Sequence, residues 1–122
     1  MRKGIRMQQE GSGSRKQRAV AVLDVGKTNV KLNMVSPGGS ILATRSLPNA
    51  TIDDTHWRRH DLAGTEAWLL TTLVAFATQY ELLAFVTSGH GSTGVLVREA
   101  ELLDRAPNLP MIDYEQALPG AI

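Results

Sequence analysis

The sequence predicts an α/β domain built on a mixed sheet with one crossover helix, and three features carry that expectation. Residues 19–35, AVAVLDVGKTNVKLNMV, hold two apolar runs that meet at a Gly-containing turn. Residues 65–80 carry the best helical pattern in the chain, and residues 82–87 form a further β-type run behind it. A hairpin, a helix and then a strand parallel to the first is what a crossover connection produces.

Each element has its own warrant. Residues 20–25 are a short apolar run bounded by Gly26, which reads as a buried strand. Val30, Leu32 and Met34 alternate with Lys31 and Asn33, the period of a strand with one buried face. Pro37, Gly38 and Gly39 make a turn, and residues 41–47 return as a third strand. Residues 48–64 are polar and turn-rich. In residues 65–80, Trp68, Leu69, Leu70, Leu73, Val74, Phe76 and Ala77 form a broad apolar stripe that would cover the sheet, with Thr71, Thr72, Thr78 and Gln79 left outside. Residues 95–97 and 111–114 read as short strands, and residues 98–105 as a connection of helical composition.

The 122 residues suffice for one domain. Apolar residues at 43% and charged residues at 20% describe a globular chain, neither disordered nor fibrous. The absence of Cys rules out disulfides and thiolate metal sites and fits a cytoplasmic protein. No apolar stretch is long enough to span a bilayer, and residues 1–18 lack the apolar core of a signal peptide. Those residues hold six of the thirteen Lys and Arg with Glu10 as the one acid, so the remainder is net acidic. With Gly11, Ser12, Gly13 and Ser14 inside and no periodic apolar pattern, residues 1–18 read as a disordered basic tail, with Met7 a second candidate start. A nucleic-acid-binding arm would interleave aromatic residues for stacking, and none is there, so no nucleic-acid partner is expected.

The chemistry concentrates at the end of the first strand. Gly26 permits a tight turn in which backbone N–H groups face an anion, Thr28 and Asn29 add donors, and Lys27 and Lys31 add charge. Asp24 ends the strand and is suited to hold magnesium directly or through water. A Walker A loop is excluded, because Ala21 stands where its first Gly belongs and a strand follows where a helix is required. A second constellation, Ser88-Gly89-His90-Gly91-Ser92-Thr93-Gly94, follows residues 82–87. It lies beyond the carboxyl end of a parallel strand, where ligands of open α/β sheets bind. Its alternative is a Gly-rich turn with a surface His. HGSTG, residues 90–94, lacks the leading Gly of a hydrolase elbow, so that reading is rejected.

A phosphate loop joining two antiparallel strands after a strand-terminal Asp resembles the actin-like and sugar-kinase ATPases, which share a ribonuclease H-like core. More narrowly, DVGKTNVKL at residues 24–32, VTSGHGSTGVLV at residues 86–97 and MIDYE at residues 111–115 resemble three successive landmarks of the FGGY carbohydrate kinases, in the branch of L-fuculose kinase. The resemblance runs from Ala19 to about Pro119 and implies an incomplete N-terminal domain, residues 19–122, of an enzyme with two. It implies ATP and Mg2+ as cofactors, a sugar as acceptor, Asp24 on the metal, and Gly26, Lys27, Thr28, Asn29 and Lys31 on phosphate. It implies His90, Gly91 and Ser92 on the sugar, and for Asp113 it leaves a substrate-side role and a surface carboxylate both open; Glu115 reads as a surface carboxylate. The family's catalytic Asp lies beyond these residues, so the piece alone is expected to be inactive. Lys27 departs from the Thr commonest in the family at that position. Gly91 and Ser92 replace the charged pair of the glycerol-kinase branch, which argues against glycerol as acceptor.

HWRRH at residues 56–60 is the remaining motif. Two His at i and i+4 on a helix can bind zinc, but no Glu follows the first and no Cys is present, so a partly exposed loop with ordinary histidines is the expectation. The resemblance leaves substrate contact by Trp57 or Arg58 open. A non-catalytic remnant or interaction module with the kinase fold, and an actin-like ATPase, are the rival functions; the last explains the Asp24 loop but not SGHGSTG.

Overall fold

A computed structural model describes residues 15–91, 93–95 and 110–117. Strands β1 (Gln17–Val25), β2 (Asn29–Val35) and β3 (Ile41–Pro48) form an antiparallel meander. The short hairpin β4 (Thr51–Asp53) and β5 (Arg58–His60) leads to helix α1 (Leu62–Ala77) and then β6 (Tyr80–Gly89). Strand β6 pairs parallel to β1, so the main sheet runs in the order β3-β2-β1-β6. This is the mixed sheet with a crossover helix that the hydrophobic pattern predicts.

Alternation places the core. Ala19, Ala21 and Leu23 on β1 and Val30, Leu32 and Met34 on β2 are buried on one face, where Phe76 of α1 closes over them. Small Ala residues at the sheet centre let the helix approach, and burying a Phe or Leu there contributes about 1.5–3 kcal/mol each. Register puts Asp24, Lys31 and Ser88 on the opposite face, because Asp24 pairs across to Lys31 on β2 and Ser88 on β6.

Four expectations change at β1 and α1. Strand β1 begins at Gln17, three residues early: Gln17 and Arg18 pair with Tyr80 and Glu81, and Lys16 Nζ donates to the Ala77 carbonyl at 2.8 Å. The end of the expected tail is therefore part of the sheet, while residues 1–14 lie outside the described residues. Helix α1 starts at Leu62, since the Asp61 carboxylate caps it by accepting from Gly64 N–H at 2.9 Å. It closes when Thr78 and Gln79 N–H turn back to the Ala75 and Phe76 carbonyls, which frees Tyr80 for β6. Its stripe is also narrower than expected, with Val74 69% exposed and Leu70 exposed beside it.

Residues 48–64 are not an open loop. Thr51 pairs with His60 and Asp53 with Arg58, and Asp54 N–H donates to the Trp57 carbonyl to close the hairpin. His56 sits exposed in that turn, whereas His60 is buried in β5. Residues 110–113 lie along β5 through a single antiparallel bridge, Arg59 to Ile112, flanked by His60 N–H to Met111 O and Asp113 N–H to Arg58 O, both 2.9 Å. The expected strand at residues 111–114 is thus one bridge long. Val95 is not in a strand, and residues 96–105 lie outside the described residues. Among the described residues, no helix is long and apolar enough to cross a membrane.

Candidate functional site

The carboxyl ends of β1 and β6 lie side by side, and the loops that follow them meet. His90 N–H donates to the Val25 carbonyl at 3.2 Å, which ties the Gly-rich loop to the base of the Gly26 turn. Gly26 N–H donates to Asn29 O at 2.9 Å, and a Cβ on Gly26 would also lie 2.9 Å from that oxygen. Only glycine lets the turn close so tightly. Gly91 has φ +74°, a left-handed conformation that side chains disfavour.

The turn is latched from behind by a residue that sequence reasoning missed. Asn49, just past β3, donates from Nδ2 to Gly26 O at 2.9 Å, and its N–H donates to Thr28 O at 2.8 Å. Both carbonyls of the turn are thereby drawn toward Asn49. Thr28 and Asn29 stay exposed, with Asn29 Nδ2 donating to Thr28 Oγ1 at 3.2 Å. Asp24 and Lys31 are exposed cross-strand partners on the face away from the core. Opposite charges in that register suit a carboxylate that organises a cation beside a lysine that neutralises phosphate. Among the described residues no group of three or more His, Cys, Asp and Glu could hold a metal.

Residues 110–117 bring further groups to these loops. The Glu115 carboxylate pairs with Lys27, whose ammonium also lies 5.0 Å from the centre of the Tyr114 ring. Tyr114 in turn lies 6.0 Å from the His90 ring. The Lys27 pKa is raised, chiefly by the hydrogen bond to Glu115, with desolvation opposing. Tyr114 thus stands between the Gly26 turn and the Gly-rich loop, with Glu115 beside it on Lys27, and MIDYE gave no chemical hint of it beyond its place in the resemblance.

Asp113 is not a surface carboxylate: it is 4% exposed. Its Oδ1 accepts from Glu115 N–H at 3.1 Å and its Oδ2 from Arg58 Nε at 2.8 Å. Donation from the Glu115 N–H first, and then the Arg58 guanidinium, hold its pKa below the ordinary value against the burial that raises it. Gln116 adds to the clamp, accepting from Arg58 N–H at 2.7 Å and donating to Arg58 O at 2.7 Å. Asp113 and Arg58 therefore hold residues 110–117 against the β4–β5 hairpin. Asp54 is likewise depressed, by Thr55 N–H and then by Arg59, whose Nε donates to it at 3.1 Å.

Val25, Gly89, His90, Gly91, Thr93 and Met111 line a cavity of about 370 Å³ at the junction of the two loops. Ser92, the remaining expected contact of that loop, lies outside the described residues. A second cavity, about 340 Å³ and also bordered by Met111, opens against β5 and α1. His60 borders it, 3% exposed, with neither ring nitrogen in a hydrogen bond. An unsatisfied buried polar group costs about 1–3 kcal/mol, so this residue needs an explanation.

The fold matches part of the carbohydrate-kinase fold. Over 86% of its length the chain is similar to a carbohydrate kinase from Novosphingobium aromaticivorans, at 29% identity and a TM-score of 0.73. It is similar over 78% of its length to a xylulose kinase from Lactobacillus acidophilus, at 14% identity and a TM-score of 0.61. It is similar over 81% to a Plasmodium falciparum glycerol kinase, at 13% identity and a TM-score of 0.58. The chain spans about a fifth of the length of each, 21%, 19% and 21% in that order. No protein-family model matches it, and no curated protein does. The mixed sheet with its crossover helix is thus a part of the carbohydrate-kinase, actin-like ATPase fold.

Proposed function

We propose that these residues form the phosphate loop and one wall of the acceptor site of an ATP-dependent sugar kinase of the FGGY type, in the L-fuculose kinase-like branch. The observation that carries the reading is the junction of the Gly26 turn with the Gly-rich loop at the carboxyl ends of two parallel strands, tied by His90 N–H to Val25 O. An anion-binding turn and an acceptor pocket must adjoin for a phosphoryl group to pass between them.

In this reading the Gly26 to Asn29 turn cradles the transferring phosphate, with Lys27 and Thr28 as donors and Lys31 neutralising charge. Asp24 would hold Mg2+, directly or through water, and the ion would supply neutralisation of the developing negative charge. An exposed carboxylate such as Asp24 fits magnesium, which keeps several waters and takes one or two carboxylates beside substrate phosphates. His90, Gly91 and Ser92 orient the sugar. Asp113 acts on the sugar side by fixing residues 110–117, which bring Met111 to the acceptor cavity and Tyr114 and Glu115 to Lys27.

The test replaces the matched fifth of the Novosphingobium carbohydrate kinase by this chain and assays ATP-dependent phosphorylation of ketoses and deoxysugars. Saturable turnover abolished by Asp24→Ala is expected. A folded chimera without turnover, or one indifferent to Asp24→Ala, overturns the reading. The chain by itself is expected to show no turnover, and saturable turnover abolished by Asp24→Ala in the chain alone would show that it carries a complete site.

A further inference from the structure

The Lys27 ammonium is already engaged, and by a group of the same charge as the phosphate it is read to bind. The Glu115 carboxylate pairs with it, and the Tyr114 ring lies 5.0 Å away. Both ends of the pair stand on fixed backbone. Asn49 holds the carbonyls of Gly26 and Thr28 on either side of Lys27, and Glu115 N–H donates to the buried Asp113, itself paired with Arg58. The side chains themselves are partly in water, Lys27 28% and Glu115 55% exposed. An ion pair so exposed adds little to stability. Residues 110–117 are in any case clamped to the hairpin by Asp113, Arg58 and Gln116. Holding that segment is therefore not what the Glu115 carboxylate is needed for. What it changes is the charge at the turn. Asp24 and Glu115 cancel Lys27 and Lys31 while Glu115 stays, and its departure leaves one net positive charge on the other three. A phosphate brings Lys27 more charge and more acceptor oxygens than one carboxylate can.

We propose that Glu115 is a displaceable counter-ion of the Gly26 turn: its carboxylate holds the Lys27 ammonium until a phosphate group takes its place. A polyphosphate, with several charges, displaces it. A monoanion does not, because a free carboxylate competes with one already held beside Lys27 at high effective concentration. Glu115 is thus a specificity-determining residue, which keeps the turn for polyphosphates. This rests on the reading of the turn as a phosphate loop and adds to it a residue from the segment that docks on β5.

The experiment titrates the full chain with inorganic tripolyphosphate, and separately with sodium acetate, at constant ionic strength, following the Lys27 13Cε and Glu115 13Cδ signals by NMR. Tripolyphosphate is expected to move both signals with one dissociation constant, and acetate to move neither. A pair formed about nine-tenths of the time lowers the apparent affinity about tenfold, so Glu115→Gln should tighten tripolyphosphate by that factor. Its Tm should stay nearly unchanged, since the pair it breaks is exposed. Glu81→Gln removes the same charge at the amino end of β6, beyond a Debye length from the turn, and should change the affinity by less than about twofold. With Lys27→Met in place, most of the gain from Glu115→Gln should disappear, because the cycle isolates the pair. Movement of Lys27 while Glu115 stays put overturns the counter-ion and leaves the phosphate loop standing. Unchanged affinity in Glu115→Gln, equal tightening by Glu81→Gln, or a gain undiminished by Lys27→Met does the same. Displacement by acetate as readily as by tripolyphosphate overturns the selectivity. Absence of any response of Lys27 to tripolyphosphate, in the wild type and in Glu115→Gln, overturns both the counter-ion and the phosphate-loop reading.

Discussion

Replacing Asp113 by Asn tests whether residues 110–117 are held to the hairpin by charge. Asp113→Asn keeps the shape and can retain Oδ1 as acceptor for Glu115 N–H, but it sets an NH2 group against Arg58 Nε, where a 2.8 Å ion pair now stands. Losing a hydrogen bond to a charged group costs about 1.5–3 kcal/mol. Asp113 is buried but the Arg58 side chain is 39% exposed, so water recovers part of that cost and about 2 kcal/mol is the expected loss. For a domain of this size about 2 kcal/mol corresponds to roughly 10 °C in Tm. The sign of the pH dependence follows from the depressed pKa. Asp113 binds its proton less readily folded than unfolded, so its contribution is complete above the ordinary value of 3.8 and is lost as pH falls through the lower folded value. Urea melts of both proteins at about pH 7 and about pH 2.5 should show a wide gap at the first and a narrowed one at the second. An equal gap at both pH values, or none at neutral pH, would refute the argument that the carboxylate charge holds this segment.

Three other outcomes are expected. Gly26→Ala brings a Cβ within 2.9 Å of the Asn29 carbonyl, so the turn must open; a loss of about 1–3 kcal/mol by denaturant melt, with reduced kcat in the kinase chimera, is the expected result. In the same chimera Asp24→Ala should lower kcat by roughly a hundred- to a thousandfold, while His90→Ala should chiefly raise the KM for sugar; steady-state kinetics against ATP and sugar separate the two. Deleting residues 1–14 should leave Tm nearly unchanged, whereas deletion through residue 18 removes the Lys16 bond to Ala77 and the start of β1, and calorimetry should show a clear drop.

Much of this protein is legible from local pattern. Period-two alternation in β2, the short apolar run before Gly26 and the Pro37-Gly38-Gly39 turn specify the meander, because strand faces and turn conformations depend on residues only a few positions apart. The strand-terminal Asp24, the Gly26 turn and the glycines around His90 are visible for the same reason. The crossover order, hairpin to helix to parallel strand, then places both loops at one end of the sheet.

What tertiary structure alone decided lies in pairs far apart in the chain. Nothing near Asp113 says that it meets Arg58, 55 positions earlier, and nothing near Gly26 says that Asn49, 23 positions later, will hold its carbonyl. Composition made residues 48–64 look like loop, since three-residue strands are too short to show a period. Met111 and Asp113 then add backbone bonds along β5, and His60 is buried there while His56, four residues away, is exposed. The helix boundary shifted for a smaller cause: Asp61 can cap a helix only where the chain has already turned, and that turn is set by the His60 and Asp61 backbone bonds to Met111 and Ala50. Local chemistry determines which groups are capable of binding, and the long-range contacts determine which of them face one another.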